Sequence, residues 1–195
     1  MHHEPPGFEA GSLGDAGAPH HEPPGFEGGS LCNVEPNHAP PVPTPTHHDK
    51  PTVRDELHAY MTATATGKYG WQYREVRPLP LPKLLEHGVE ADCSFSVKIL
   101  CHWAGLHDDP TGENWNGYGN SSTIFTHLPH ITLAEANVGD IVVVGPGGEY
   151  HAVMILKPDP ENPQVWSFGH QGAPNVYPLL SDTRRPFTFC RISAP

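Results

Sequence analysis

Gly139-Asp140-Ile141-Val142-Val143-Val144-Gly145-Pro146-Gly147-Gly148-Glu149-Tyr150-His151-Ala152-Val153-Met154-Ile155-Leu156 is the stretch that decides the fold. Two runs of β-branched and apolar residues flank Gly-Pro-Gly-Gly, which reads as strand, turn, strand. Gln164-Val-Trp-Ser-Phe-Gly and Phe187-Thr-Phe-Cys-Arg-Ile have the same character further along. Pro158-Asp-Pro and Gly172-Ala-Pro supply the turns between them. The short links favour antiparallel neighbours, so the C-terminal third reads as a four-strand meander.

Upstream of residue 139 the reading is helical. Pro51 and Thr52 start a helix that runs to about Thr66, with Asp55 and Glu56 in its first turns and Gly67 as a stop. Residues 67–82 read as a loop, with a short helix around 82–87. Asp92 sits at an N-cap position before a firm helix from Cys93 to Ala104, ended by Gly105. Phe95, Val97, Ile99, Leu100 and Trp103 give that helix a broad apolar face. Residues 105–122 are loop, and a short helix follows at about 121–128. Helices first and strands after predict an α+β fold, with a helix packed on one face of an antiparallel sheet.

The first 50 residues are different. They carry 10 Pro and 7 Gly and little apolar surface, too little to offset the entropy cost of folding. His-His-Glu-Pro-Pro-Gly-Phe-Glu-Ala-Gly-Ser-Leu at 2–13 returns at 20–31 with Gly28 in place of Ala. Two copies do not make a solenoid. Residues 1–50 are therefore expected to be a low-complexity, disordered tail, and residues 51–195 one domain. The His pairs at 2–3, 20–21 and 47–48 read either as part of a solvated tail or as a metal capture site.

Of the formal net charge of −11, residues 1–50 hold −6, which leaves −5 for the domain. Both parts are acidic, which argues against a phosphate-tracking nucleic-acid face. No apolar run approaches the ~20 residues of a membrane span. The N-terminus lacks the basic and apolar regions of a secretory signal, so a cytoplasmic start is expected. The four cysteines, at 32, 93, 101 and 190, follow no zinc spacing. Eight residues of helix put Cys93 and Cys101 roughly 12 Å apart, too far for a disulfide. No cofactor is expected, and the domain is expected to be a monomer.

Cys93 is the candidate nucleophile. At a helix N-terminus the macrodipole and free N–H groups favour thiolate. Cys101 and Cys190 fall in mid-helix and mid-strand positions, and Cys32 in the tail. His151 is the candidate base. It opens an apolar strand, and alternation places it with Val153 and Ile155 on a core-facing stripe. The base needs an orienting partner on the next strand. His170 is chosen, with Gln164, Ser167 and Gln171 as alternatives.

These residues resemble the NlpC-type papain-like cell-wall peptidases, to which the CHAP amidases are related. The resemblance rests on Asp92-Cys93-Ser94 at a helix start, Val138-Gly139-Asp140-Ile141-Val142 leading a strand, and His151-Ala152-Val153 on the next. More narrowly, residues 69–193 look like the peptidase domains of endolysins from actinobacterial phages. That likeness is carried by Arg77-Pro78, Cys101-His-Trp-Ala-Gly105 with Asp109-Pro110, Asn116-Gly-Tyr-Gly119 and Ser167-Phe-Gly-His-Gln-Gly-Ala-Pro174. It implies a papain-like fold and hydrolysis of an amide in peptidoglycan, with Cys93 attacking and His151 as base. It further implies a phage lysis protein that waits in the host cytoplasm. The chain departs from the family at Phe95, where a Gly is usual, and at Ser167-Phe-Gly, where relatives often read Ser-His-Gly. An upstream family tyrosine that contacts the site corresponds to Tyr69 or Tyr73, and Tyr73 is the candidate. Trp115 and Tyr118, in the aromatic loop at 115–122, are candidates for lining a stem-peptide groove; the loop also reads as structural, with one packed Trp.

Overall fold

The computed structural model describes residues 50–194. The expected tail, with its repeat, its His pairs and Cys32, lies outside the described residues apart from Lys50.

Helix α1 spans Val53–Thr64. It starts at a capping box, in which Asp55 accepts from the Thr52 N–H at 2.9 Å while the Thr52 hydroxyl accepts from the Asp55 N–H. Two-residue strands β1 (Gln72–Tyr73) and β2 (Glu90–Ala91) then pair in parallel. The short helix expected at 82–87 does not form. Pro80 and Pro82 bias their predecessors away from helix, and Leu85 takes a left-handed φ of 48°. Helix α2 is Cys93–Trp103, capped by Asp92, whose carboxylate accepts from the Phe95 N–H at 2.8 Å. Helix α3 is Ser121–His127, capped by Asn120.

Six strands make the main sheet: β3 (His130–Ile131), β4 (Ile141–Val144), β5 (His151–Lys157), β6 (Gln164–Ser167), β7 (Asn175–Pro178) and β8 (Phe187–Cys190). Their order is β3-β8-β4-β5-β6-β7, antiparallel throughout. The sheet thus has two strands more than the sequence suggests. Asn175-Val-Tyr-Pro is short and ends in Pro, and His130-Ile131 is a two-residue edge, so neither carries a periodic signal. The meander also stops at β7. Strand β8 crosses over to the free edge of β4, where Phe187, Phe189 and Cys190 pair with Val144, Val142 and Ile141.

Helix α2 packs on one face of this sheet, in the α+β layout that the sequence predicts. Ile141, Val143, Ala152, Met154, Trp166 and Phe168 share a buried cluster with Phe95, Val97, Ile99 and Leu100 of α2. Each large apolar side chain fully buried there contributes about 1.5–3 kcal/mol. The opposite face carries a smaller cluster of Val142, Val153, Ile155, Val165 and Leu179. Val153 and Ile155 therefore face away from α2, not into the main core, while His151 heads the strand next to Ala152, whose N–H meets the Cys93 thiol at the start of α2. The neighbours of Val153 and Ile155 on that face come from β6 and β7.

Gly139 and Asp140 lock α1 to the sheet. Gly139 has a φ of 84°, and a Cβ there would stand 2.6 Å from Leu57 Cδ1. Asp140 has no exposed surface and pairs with Arg54 at 3.0 Å and Arg191 at 3.3 Å. It also accepts from the Asn137 N–H at 2.9 Å. Asp140→Ala is expected to cost about 2 kcal/mol, because both arginines reach solvent once released while the Asn137 N–H loses its acceptor. Urea denaturation measures this, and a loss under about 0.5 kcal/mol would contradict the role.

Candidate active site

Helix α2 presents Cys93 at its first position. Asp92 cannot drift, because its carboxylate accepts from the Phe95 N–H, from the Ser94 hydroxyl at 2.9 Å and from Arg77. Arg77 is held in turn by the Gly119 carbonyl at 3.1 Å. The thiol remains partly open to solvent. Burial and the neighbouring Asp92 push it up to about 11, although the Ala152, Ser94 and Cys93 N–H groups pull the other way. The helix start is expected to favour thiolate, but here desolvation and an adjacent carboxylate outweigh the dipole. The Ala152 N–H is available because Ala152 lies beyond Met154↔Trp166, the last β5–β6 pair at that end.

His151 opens β5 next to Ala152 and is 7% exposed. Burial, and after it the positive charge of Arg184, depress its pKa to about 4. Cysteine and histidine are consequently both neutral between about 4 and about 11. The low value links stability to pH. Between about 6.5 and about 4 the unfolded chain binds a proton that the folded chain refuses, so stability falls as pH drops through that window and is flat above it. The loss amounts to ~3 kcal/mol. His151→Gln is expected to lower stability at pH 7 but to remove this slope. Urea unfolding of both proteins at pH 7 and pH 4.5 checks the difference, and parallel slopes would refute it.

The ring is oriented by Ser167. Its hydroxyl lies 2.7 Å from His151 Nε2, which leaves Nδ1 as the nitrogen without that partner. His170, the sequence-based choice, is displaced from that role. Past Gly169 the chain has left β6, and the His170 side chain is 82% exposed, stacked on Tyr73 with ring centroids 4.0 Å apart. The signal for Ser167 was available in strand parity: Val165 and Ser167 share the face that carries Val153 and His151.

Tyr73 comes close enough to Cys93 for the two to repel as anions, while burial chiefly raises its pKa. Its hydroxyl donates to Glu75 at 2.8 Å. Tyr69 instead packs near His87, with ring centroids 5.2 Å apart. A cavity of about 480 Å³ opens beside His151 and Ser167, and Tyr73, Tyr177, Asp182 and Arg184 also line it. The last three went unread because β7 gives no periodic pattern.

Trp115 and Tyr118 do not reach this cavity. The Trp115 ring packs on His102, near the far end of α2 and some ~14 Å along it from Cys93. Their loop is built around a buried ion pair. Lys98 Nζ, with no exposed surface, lies 2.7 Å from Asp109 and donates to the Tyr118 carbonyl at 2.9 Å. Asp109 also accepts from the Thr111 and Trp115 N–H groups at 2.8 and 2.7 Å. Burial raises the Asp109 carboxyl, but Lys98, Thr111 and Trp115 bring it below its ordinary value. The structural reading of this loop therefore fits the geometry. Among the described residues, no group of three or more His, Cys, Asp or Glu side chains is placed to hold a metal ion.

No protein-family model matches the chain, and no curated protein matches it. Solved structures do. RipD of Mycobacterium tuberculosis, described as a non-catalytic NlpC/p60 domain protein adapted to peptidoglycan binding, is 15% identical over 73% of this chain and 98% of its own, with a TM-score of 0.49. The peptidoglycan hydrolase RipB of the same organism is 21% identical over 72% of this chain and 67% of its own, with a TM-score of 0.48. The P60 domain of an antigen from M. avium subspecies paratuberculosis, 21% identical over 72% of this chain and 98% of its own, has a TM-score of 0.42.

Proposed function

We propose that residues 51–195 form a cysteine hydrolase of peptidoglycan, an NlpC-type endopeptidase that cleaves an amide bond of the stem peptide. The observation that carries this reading is Cys93 at a capped helix start against the Ala152 N–H, beside a buried His151 whose far nitrogen is held by Ser167. His151 Nδ1 takes the thiol proton as the sulfur attacks the carbonyl carbon. The Cys93 N–H, at the free end of α2, helps to hold the oxyanion. The C–N bond breaks, the amine leaves with the proton from His151, and water hydrolyses the thioester. Because the resting pair is neutral, proton transfer and attack are coupled. We further propose a phage lysis role in the manner of actinobacteriophage endolysins, with a monomeric enzyme held in the host cytoplasm until it reaches the wall.

Incubation of purified actinobacterial peptidoglycan with the wild type, with Cys93→Ala as blank, tests the reading. Mass spectrometry of the new termini identifies the bond. A new muramic lactyl carboxyl would instead assign an N-acetylmuramoyl-alanine amidase. Identical products from both proteins would refute catalysis. A wall-binding protein without activity is the second reading, favoured by the high thiol pKa of about 11. It predicts wall pull-down with no Cys93-dependent products.

Within the catalytic reading, Ser167→Ala is expected to lower kcat about tenfold, the worth of one hydrogen bond. His170→Ala is expected to change kcat less than about threefold, because its ring stands in solvent. Equal losses in the two variants would return the orienting role to His170.

A further inference from the structure

A serine is a weak orienting group for an imidazole, since it brings no negative charge to balance the imidazolium. The sheet extends it. Val165 pairs with Tyr177, so Ser167, two residues on, is the diagonal neighbour of Tyr177 on the same face. The pairing of Met154 with Trp166 makes His151 and Ser167 diagonal neighbours in the same way. His151, Ser167 and Tyr177 thus run obliquely across three strands at the end of the sheet where the cavity opens. Beyond β7, the turn after Leu179–Ser181 returns Asp182 and Arg184 to the same cavity. The Asp182 side chain is 6% exposed and grips the Arg184 guanidinium with both oxygens, at 3.0 and 2.6 Å.

We infer that Tyr177, Arg184 and Asp182 are positioning residues that back the His151–Ser167 hydrogen bond with the Asp182–Arg184 ion pair along the wall of the same cavity. Resting on the catalytic reading above, this chain would fix the imidazole in the tautomer with its proton on Nε2, where Ser167 accepts it. Tyr177 stands diagonal to Ser167 and lines the cavity with Arg184, and both neighbours oppose the burial that raises its pKa. Arg184 holds the imidazole neutral before attack, and Asp182 opposes it. Tyr73 on β1, Glu75 after it, Tyr150 before β5 and His170 after β6 are the other ionisable groups on the cavity wall, and Cys93 meets the N–H of Ala152, next to His151.

The test uses Tyr177→Phe, Arg184→Gln and Arg184→Lys in the full chain. Nuclear magnetic resonance follows the titration of the His151 ring without reference to activity. Arg184→Gln is expected to raise the His151 midpoint by about half a unit or more, and Arg184→Lys to keep it near wild type. An unchanged midpoint in Arg184→Gln overturns the electrostatic half of the inference. On peptidoglycan, Tyr177→Phe is expected to lower kcat about fivefold or more at constant KM. Unchanged kcat, or an effect on KM alone, overturns the positioning half. If the wild type itself releases no products, the proposed function fails, while the ring titration still decides whether the chain exists.

Discussion

Replacing Cys93 by alanine is expected to reduce release of wall fragments by at least ~10⁴-fold, because the attacking atom itself is gone and the oxyanion donors alone give only residual catalysis. The melting temperature is expected to stay within a few degrees, since the thiol is partly open and the Asp92 cap, which involves no cysteine atom, persists. Cys101→Ala is the contrasting variant. Cys101 is fully buried in mid-helix, so its loss costs about 1 kcal/mol or more of stability through the cavity it leaves. Hydrolysis by folded Cys101→Ala should be that of the wild type. Initial rates on labelled peptidoglycan decide the matter, and retention of a tenth of the rate in Cys93→Ala would remove this residue from the mechanism.

Asp109→Asn is expected to have the largest effect on stability, about 3–5 kcal/mol. The substitution leaves the Lys98 ammonium buried with no opposite charge, and weakens the acceptor of the Thr111 and Trp115 N–H groups. The fold from residue 105 to residue 120 hangs on that carboxylate. The double substitution Lys98→Met with Asp109→Leu removes both charges together and is expected to recover only the part due to the unpaired ammonium, since the Thr111 and Trp115 N–H groups stay without their acceptor. Urea unfolding of the two proteins measures it. A single variant within about 1 kcal/mol of wild type would mean that water already reaches the pair.

The helices and the four long strands were legible in the sequence because their apolar residues repeat with a regular period and their ends carry Asp92, Gly105 and the Gly-Pro turns. Cys93 and His151 were legible as positions at the start of such elements. What failed to show was whatever depends on a short or crossing segment. Strand β7 has four residues and ends in proline, so Tyr177 and the Asp182–Arg184 pair beyond it carried no pattern. His170 attracted attention as a histidine in the right segment, yet Gly169 had already turned the chain outward. Residue type suggested His170, whereas strand parity, the better guide at that point, selects Ser167. Lys98 was hidden for the opposite reason: it lies within an apolar helix and meets Asp109 only after the loop folds back. The high value of the thiol was invisible as well, since no sequence pattern reports desolvation.

Asp92 holds two jobs that pull against each other. Its carboxylate fastens the start of α2, and the same charge makes Cys93 reluctant to lose its proton. A neutral residue there would sharpen the nucleophile and loosen the helix that aims it. In the proposed mechanism this arrangement would keep the sulfur quiet toward stray oxidants and electrophiles, with reactivity confined to the moment when it attacks a bound carbonyl as His151 takes its proton. Dormancy at rest is in this sense a by-product of how the helix is nailed down.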